Sequence, residues 1–295
     1  MALAVAPFSA QAETINLYGW QNHSWEFVDE QNNSGTDRSY DQMNSNGGSI
    51  GFAASVDTGM DGIKVNVQCE QFTFYNQFAD STASTWCNRN SKIGLAHPQA
   101  GEIMFATWLL PYNEGVAPWV DPFYDAGGDS HTNIMGSMGA ESSKFYNPVF
   151  ERTNGFNRRQ ENIIQYWSPN WNGFVFRFAW TLGNNDETNN TKGASASGGT
   201  EIDPVIRSSS LAYTNGPLWL AVTWQEHEDW AAFKSGAMDT SDAESFRVAG
   251  RYIMDMGDGV SVQLSAMWED IEHEFNGVTS VDKAMSAFGF GEFAS

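Results

Sequence analysis

Hydrophobic positions along most of this chain recur at every second residue, and the apolar runs are cut by Gly, Asn, Asp and Pro. That is the period of extended chain, whose successive side chains point to opposite faces. The pattern predicts strands near 14–27, 46–56, 63–77, 89–97, 102–110, 160–168, 173–182, 204–214, 218–229, 244–254, 260–272 and 282–292. One face collects Ile50, Phe52, Ala54 and Val56, then Leu218, Leu220, Val222 and Trp224, then Val260, Val262, Leu264, Ala266 and Trp268. The opposite face collects Gly51, Ala53 and Ser55, then Ala221, Thr223 and Gln225, then Ser261, Gln263 and Ser265. The stretch "FVFRFAW" shows the contrast in one strand: Phe174, Phe176, Phe178 and Trp180 alternate with Val175, Arg177 and Ala179.

Alternation of this kind fits two architectures. A β-sandwich turns its apolar faces inward, whereas a transmembrane β-barrel turns them outward to lipid and lines its lumen with polar residues. The connections favour the barrel. Short turns, "DTGMDG", "PQAG", "PNWNG", "NGP" and "DMGDG", alternate with long polar segments at 28–45, 78–88, 111–159, 183–203, 230–243 and 273–281. Barrels sort short turns to one end and long loops to the other, and Tyr166, Trp167, Trp171 and Tyr213 flank the short turns as interfacial aromatics do. No run reaches the roughly 18 apolar residues of a transmembrane helix. The competing reading is a secreted soluble β-sandwich that binds carbohydrate or a surface partner through its aromatics.

Charge narrows the functions. With 36 acidic against 15 basic residues the chain carries a formal charge of −21, which excludes a nucleic-acid-binding footprint and favours cationic partners. "MALAVAPFSAQA" is apolar and ends in Ala-Gln-Ala, the mark of a signal-peptide remnant over 1–12. Cys69 and Cys87 lack metal-ligand spacing. Export permits a bridge between them, and a buried Cys69 thiol beside Ile63, Val65 and Val67 is the alternative. No nucleophile, zinc, phosphate-loop or dinucleotide motif is present, and His23, His97, His131, His227 and His273 have no catalytic neighbourhood, so no enzyme is expected. "QEHEDW" and "EDIEHEF" end strands at the long-loop side. Their Glu226, His227, Glu228, Glu272, His273 and Glu274 read as a solvated acidic rim that could hold Ca²⁺ or Mg²⁺ against lipopolysaccharide.

Several segments together resemble the general trimeric porins of Gram-negative outer membranes: "INLYGW", "GSIGFAASVDTGMDGIKVNVQCEQF", "RNSKIGLAHPQAGEIMFATW", "NIIQYWSPNWNGFVFRFAW" and "LAYTNGPLWLAVTW". The resemblance runs from Thr14 to about Phe290. It implies an all-β, antiparallel 16-stranded barrel in a homotrimer, a water-filled channel for passive diffusion of small hydrophilic solutes and ions, and a third loop folded inside as a constriction. About twelve of those strands are present here, so residues 13–295 read as a C-terminally incomplete barrel. The constriction loop falls at 111–159, and its Glu114, Asp121, Asp125, Asp129 and Glu141 would crowd the pore. Two positions depart from the family: Trp108 stands where an inward arginine is usual, and Gln165 stands where an inward basic residue is usual. The remaining inward cations by parity are Lys64, Lys92, Arg177, Arg247 and Arg251, with Glu70 sharing the face of Lys64. An acidic loop opposite a thinned basic wall implies a lean towards cations.

Overall fold

The structure, a computed structural model, describes residues 14–30, 38–73, 86–121, 155–181, 205–234, 237–275 and 278–294. The period-two segments become twelve strands: β1 (Thr14–Glu30), β2 (Arg38–Asp57), β3 (Lys64–Phe72), β4 (Ser91–His97), β5 (Gly101–Leu109), β6 (Arg159–Trp167), β7 (Phe174–Thr181), β8 (Val205–Asn215), β9 (Leu218–Lys234), β10 (Ala237–Gly257), β11 (Val260–Phe275) and β12 (Val278–Ala294). Each pairs antiparallel with its sequence neighbours in a single meander, and β1 and β12 are its two edges, so the sheet is open. Short helices α1 (Pro111–Glu114) and α2 (Ala117–Val120) follow β5.

The turns follow from local chemistry. At Asn172-Gly173 and Asp258-Gly259 both residues have positive φ, the backbone that matches the twist of a tight hairpin. A Cβ on Gly173 would lie 2.5 Å from the Thr214 carbonyl oxygen, so only glycine fits beside β8.

Three connections expected to be long are not. β2 begins at Arg38 rather than 46, β10 at Ala237 rather than 244, and β9, β11 and β12 are likewise extended, leaving connections of 31–37, 235–236 and 276–277. The reason is physical. Past the lipid-facing band both faces of a strand are polar, so alternation disappears while the hydrogen-bonded ladder continues. β3, in contrast, stops at Phe72 rather than 77.

The two faces of the sheet are inverted relative to a soluble protein. Ile93, Leu95, Ile103, Phe105, Leu211, Leu220, Val222, Val248, Leu264 and Trp268 are exposed, as are Phe174 at 44% and Trp180 at 45%. Gln165, Ser208, Thr223, Gln225, Ser245 and Arg247 are buried on the other face. A sandwich would bury the first set and expose the second, so the soluble-sandwich reading is overturned.

Cys69 and Cys87 are bridged, with Cα atoms 4.8 Å apart, which removes the free-thiol alternative. The chain entering β4 runs back along β3: the Arg89 amide donates to the Glu70 carbonyl at 2.9 Å, and the Phe72 amide donates to Asn88 Oδ1 at 3.0 Å. That return places Cys87 beside Cys69. Replacing both cysteines by serine should lower stability by roughly 3 kcal/mol, read as a shifted urea midpoint in lipid vesicles, with the β-sheet spectrum retained.

Candidate functional site: the inner wall and the loop that crosses it

After β5 the chain turns inward. Leu110 is fully buried, and its amide donates to the Arg158 carbonyl at 3.0 Å, tying the start of the loop to the segment that returns to β6. Pro111 opens α1 at a position where its missing N–H costs nothing. Tyr112, Val116, Ala117, Val120 and Asp121 are buried. The hydroxyl of Ser265 donates to the Val120 carbonyl at 2.6 Å, and the Tyr112 amide donates to Ser208 Oγ at 2.9 Å. The loop therefore lies across the inner faces of β8 to β11.

One buried network fastens it. Arg247 on β10 and Glu269 on β11 are paired at 2.7 Å with both side chains fully buried. The Tyr112 hydroxyl donates to Glu269 at 3.0 Å and shares a 2.5 Å hydrogen bond with Ser245. The Arg247 guanidinium lies over the Tyr112 ring at 4.1 Å and donates to Asn157 Oδ1 at 3.1 Å. An ion pair hidden this way needs its remaining hydrogen-bonding capacity met; the loop supplies the Tyr112 hydroxyl and Asn157 Oδ1, and Arg247 Nη1 stays without a partner among the described residues. Burial raises the Tyr112 phenol well above its usual value, so it stays a donor.

A second cluster joins α1 to β4–β7. The Trp108 indole N–H donates to Glu114 at 2.9 Å, and Arg177 pairs with Glu114 at 3.1 Å. Lys92 pairs with Glu102 at 2.7 Å and sits 4.4 Å from the Trp167 ring centroid and 5.3 Å from that of Trp108. Burial pushes the Glu114 carboxyl upward, against the opposing pulls of Arg177, the Trp108 N–H, Lys92 and Arg159.

The sequence-predicted residues sort unevenly. Lys64, Glu70, Lys92, Trp108, Gln165, Arg177, Arg247 and Arg251 all belong to inward positions. Glu70, Trp108, Gln165 and Arg247 are buried within the wall rather than open to solvent. Glu70 pairs with Arg89 and accepts from Tyr18, and both amide atoms of Gln165 are without a partner among the described residues. Asp121 is buried beside α2; Asp125, Asp129 and Glu141 lie outside the described residues. Parity splits the rim clusters. His227 is buried inward, 2.7 Å from Gln225 Nε2 and against Phe156, so it does not stand on the rim. Glu226 and Glu228 pair with Arg207 at 2.8 and 2.7 Å and, with Asp242, Glu244, Glu272 and Glu274, line a cavity of about 330 Å³. Among the described residues no His, Cys, Asp and Glu group is arranged to hold a metal, and the side chain of His273 lies outside them. Glu269, counted with the rim in the sequence, is instead the buried partner of Arg247. Sequence reasoning also missed Tyr112, Ser245, Glu102 and Arg89, whose partners are set by strand register and by where α1 and the chain entering β4 come to rest.

An antiparallel meander with an apolar outside, a polar inside and a loop folded against that inside defines an outer-membrane channel protein. The chain belongs to the Gram-negative porin family, whose sequence profile matches residues 1–291. It is a channel of the bacterial outer membrane rather than an enzyme. No curated protein sequence matches it. Among solved structures it is similar to Salmonella typhi OmpF in complex with daunomycin, at 11% identity and a TM-score of 0.49, covering 95% of this chain and 97% of that one. It is similar to the trimeric form of Vibrio cholerae OmpT at 13% and 0.46, covering 96% and 84%. The channel DcaP of Acinetobacter baumannii gives 10% and 0.37, covering 94% and 90%. At these identities no residue role passes to this chain.

Replacing Arg247 by Leu should cost about 3–5 kcal/mol by leaving Glu269 buried and unpaired, while Arg247→Leu with Glu269→Leu should recover much of it; urea unfolding of the vesicle-embedded protein reads both. Because the Glu114 carboxyl is raised in the folded protein, it takes up its proton at a higher pH than an exposed glutamate, and ionising it as pH rises works against stability. As pH falls, Arg177 therefore loses its counter-charge before ordinary carboxylates titrate. The reversal potential across a salt gradient should move towards anions in that window, and Glu114→Gln should show the shifted value already at neutral pH.

Proposed function

We propose that this porin passes small hydrophilic solutes and ions by passive diffusion, with a modest lean towards cations, and that it works as a homotrimer. The observation that carries the channel reading is the inversion of the sheet: apolar residues outside, and a polar wall inside with α1 and α2 folded against it. The lean rests on the surplus of 36 acidic over 15 basic residues and on loop acids such as Asp121, Asp125 and Asp129, which we place at the constriction formed by 111–159. It is modest because Glu70, Glu102, Glu114 and Glu269 each face a basic partner, so their fields are largely cancelled where solute passes. Lys92 and Arg177 are spent in those pairs, and Trp108 and Gln165, buried in the inner wall, add no charge where the family usually has a basic residue. Outside, the apolar rows meet lipid, and the tier of Glu226, Glu244 and Glu272 lies at the level of lipopolysaccharide.

Planar-bilayer recording tests this directly. Stepwise openings in potassium chloride with a small reversal potential of cation sign are expected. An anion-sign potential would sink the lean, and inserted protein that never opens would sink the channel.

A further inference from the structure

Most cations of the described inner wall are matched by carboxylates, but Arg251 is different. It stands on β10, in register with Trp219 of β9 and Ser265 of β11. Among the described residues it has no carboxylate partner, and its Nε is buried without an acceptor. Its guanidinium lies 5.2 Å from the ring centroid of Trp119 on α2. That indole stacks on Trp219 with centroids 5.8 Å apart and planes at 19°. Trp219 is 2% exposed, whereas Trp119 keeps 41% of its surface open although its helix is pinned to the inner wall. Gln263 Nε2 lies 3.5 Å from the Trp119 carbonyl, and Ser265 holds that of Val120, so the indole is carried on a fixed backbone.

An arginine fork without an acceptor and an open indole beside it, both on the inner side, make a two-part recognition surface. The fork takes a carboxylate through two parallel hydrogen bonds, and the indole takes a flat ring by stacking. We propose that Arg251 and Trp119 form a binding station for ring-bearing carboxylates, of which benzoate is the simplest, on their way through the lumen. The proposal rests on the porin reading for the route by which solute arrives. It does not depend on the bulk ion preference: in a pore with an acidic surplus, a local cation is what lets a carboxylate solute dwell. Among the described residues Glu70, Glu102, Glu114 and Glu269 are already paired and do not compete for Arg251.

Calorimetric titration of the detergent-solubilised full chain with benzoate tests the station, alongside the same ligand in bilayer recordings. Saturable binding at one site per chain is expected, together with a saturable fall in single-channel potassium conductance. Benzamide, which has the ring without the charge, and acetate, which has the charge without the ring, should each bind at least roughly tenfold more weakly. Arg251→Gln should weaken benzoate binding by roughly tenfold or more. Trp119→Leu lies in the loop, outside the strand ladder, and serves if the strand variant folds poorly; it should weaken benzoate but not acetate. No saturable heat with the parent protein, or equal binding by both variants, would overturn the proposal. Silent bilayers with intact calorimetric binding would overturn the porin reading and leave the station standing; normal openings without benzoate binding would do the reverse.

Discussion

Backbone amides and carbonyls cannot be left unpaired in hydrocarbon, where each costs several kcal/mol and no water is at hand to satisfy it. Between β1 and β12 a meander of neighbouring antiparallel strands meets that demand through the ladder, leaving only the outer edges of those two strands to be paired, and much of this protein follows from it. With the backbone satisfied, the pleat sends alternate side chains to opposite sides, so one periodic sequence can face two solvents. Phe174 and Trp180 go to one side and Arg177 and Ala179 to the other because they are separated by odd numbers of residues.

The inner side must then do what a soluble core does with mostly polar material. It does so by pairing. Tyr112 is the pivot, since its ring covers Arg247 and its hydroxyl reaches both Glu269 and Ser245, so the loop adds hydrogen bonds and cover to a buried ion pair that the strands alone would leave more exposed. The loop is thereby held by charge geometry rather than by apolar area, and Val116 and Val120 add the packing against Trp219, Ala221, Ala249 and Met267. The cluster of Trp108, Glu114, Arg177 and Lys92 does the same work nearer β5. The hold of α1 and α2 on the inner wall is in this way a product of paired charges, and Arg251 with Trp119 lies outside those pairs.

How far this was legible in the sequence depends on which physical signal each feature leaves. All twelve strands were, because burial against lipid on one face writes period two, and the tight turns were, because Asn-Gly and Asp-Gly announce themselves. The ends of β2, β9, β10 and β11 were not: beyond the lipid band both faces are polar and the period fades while the ladder persists. That loss of signal also misplaced His227 and Glu269, which belong to strand interiors and not to a rim. Parity put Arg247 and Arg251 on the inner face, yet it could not show that one is buried under a tyrosine and the other has no carboxylate partner among the described residues, since that depends on register with β9 and β11 and on where α1 and α2 come to rest. The Cys69–Cys87 bridge was open for the same reason, as it depends on the chain returning along β3.

The central claim is that one face of each strand meets lipid and the other an aqueous lumen. Single cysteines placed in turn from Phe174 to Trp180 of the vesicle-embedded protein, probed with a water-soluble, membrane-impermeant maleimide, test it most directly. Positions 175, 177 and 179 should label, with 179 slowed by its burial, while 174, 176, 178 and 180 stay protected until detergent replaces the lipid. Labelling of the aromatic positions with protection of 175, 177 and 179 would contradict the account.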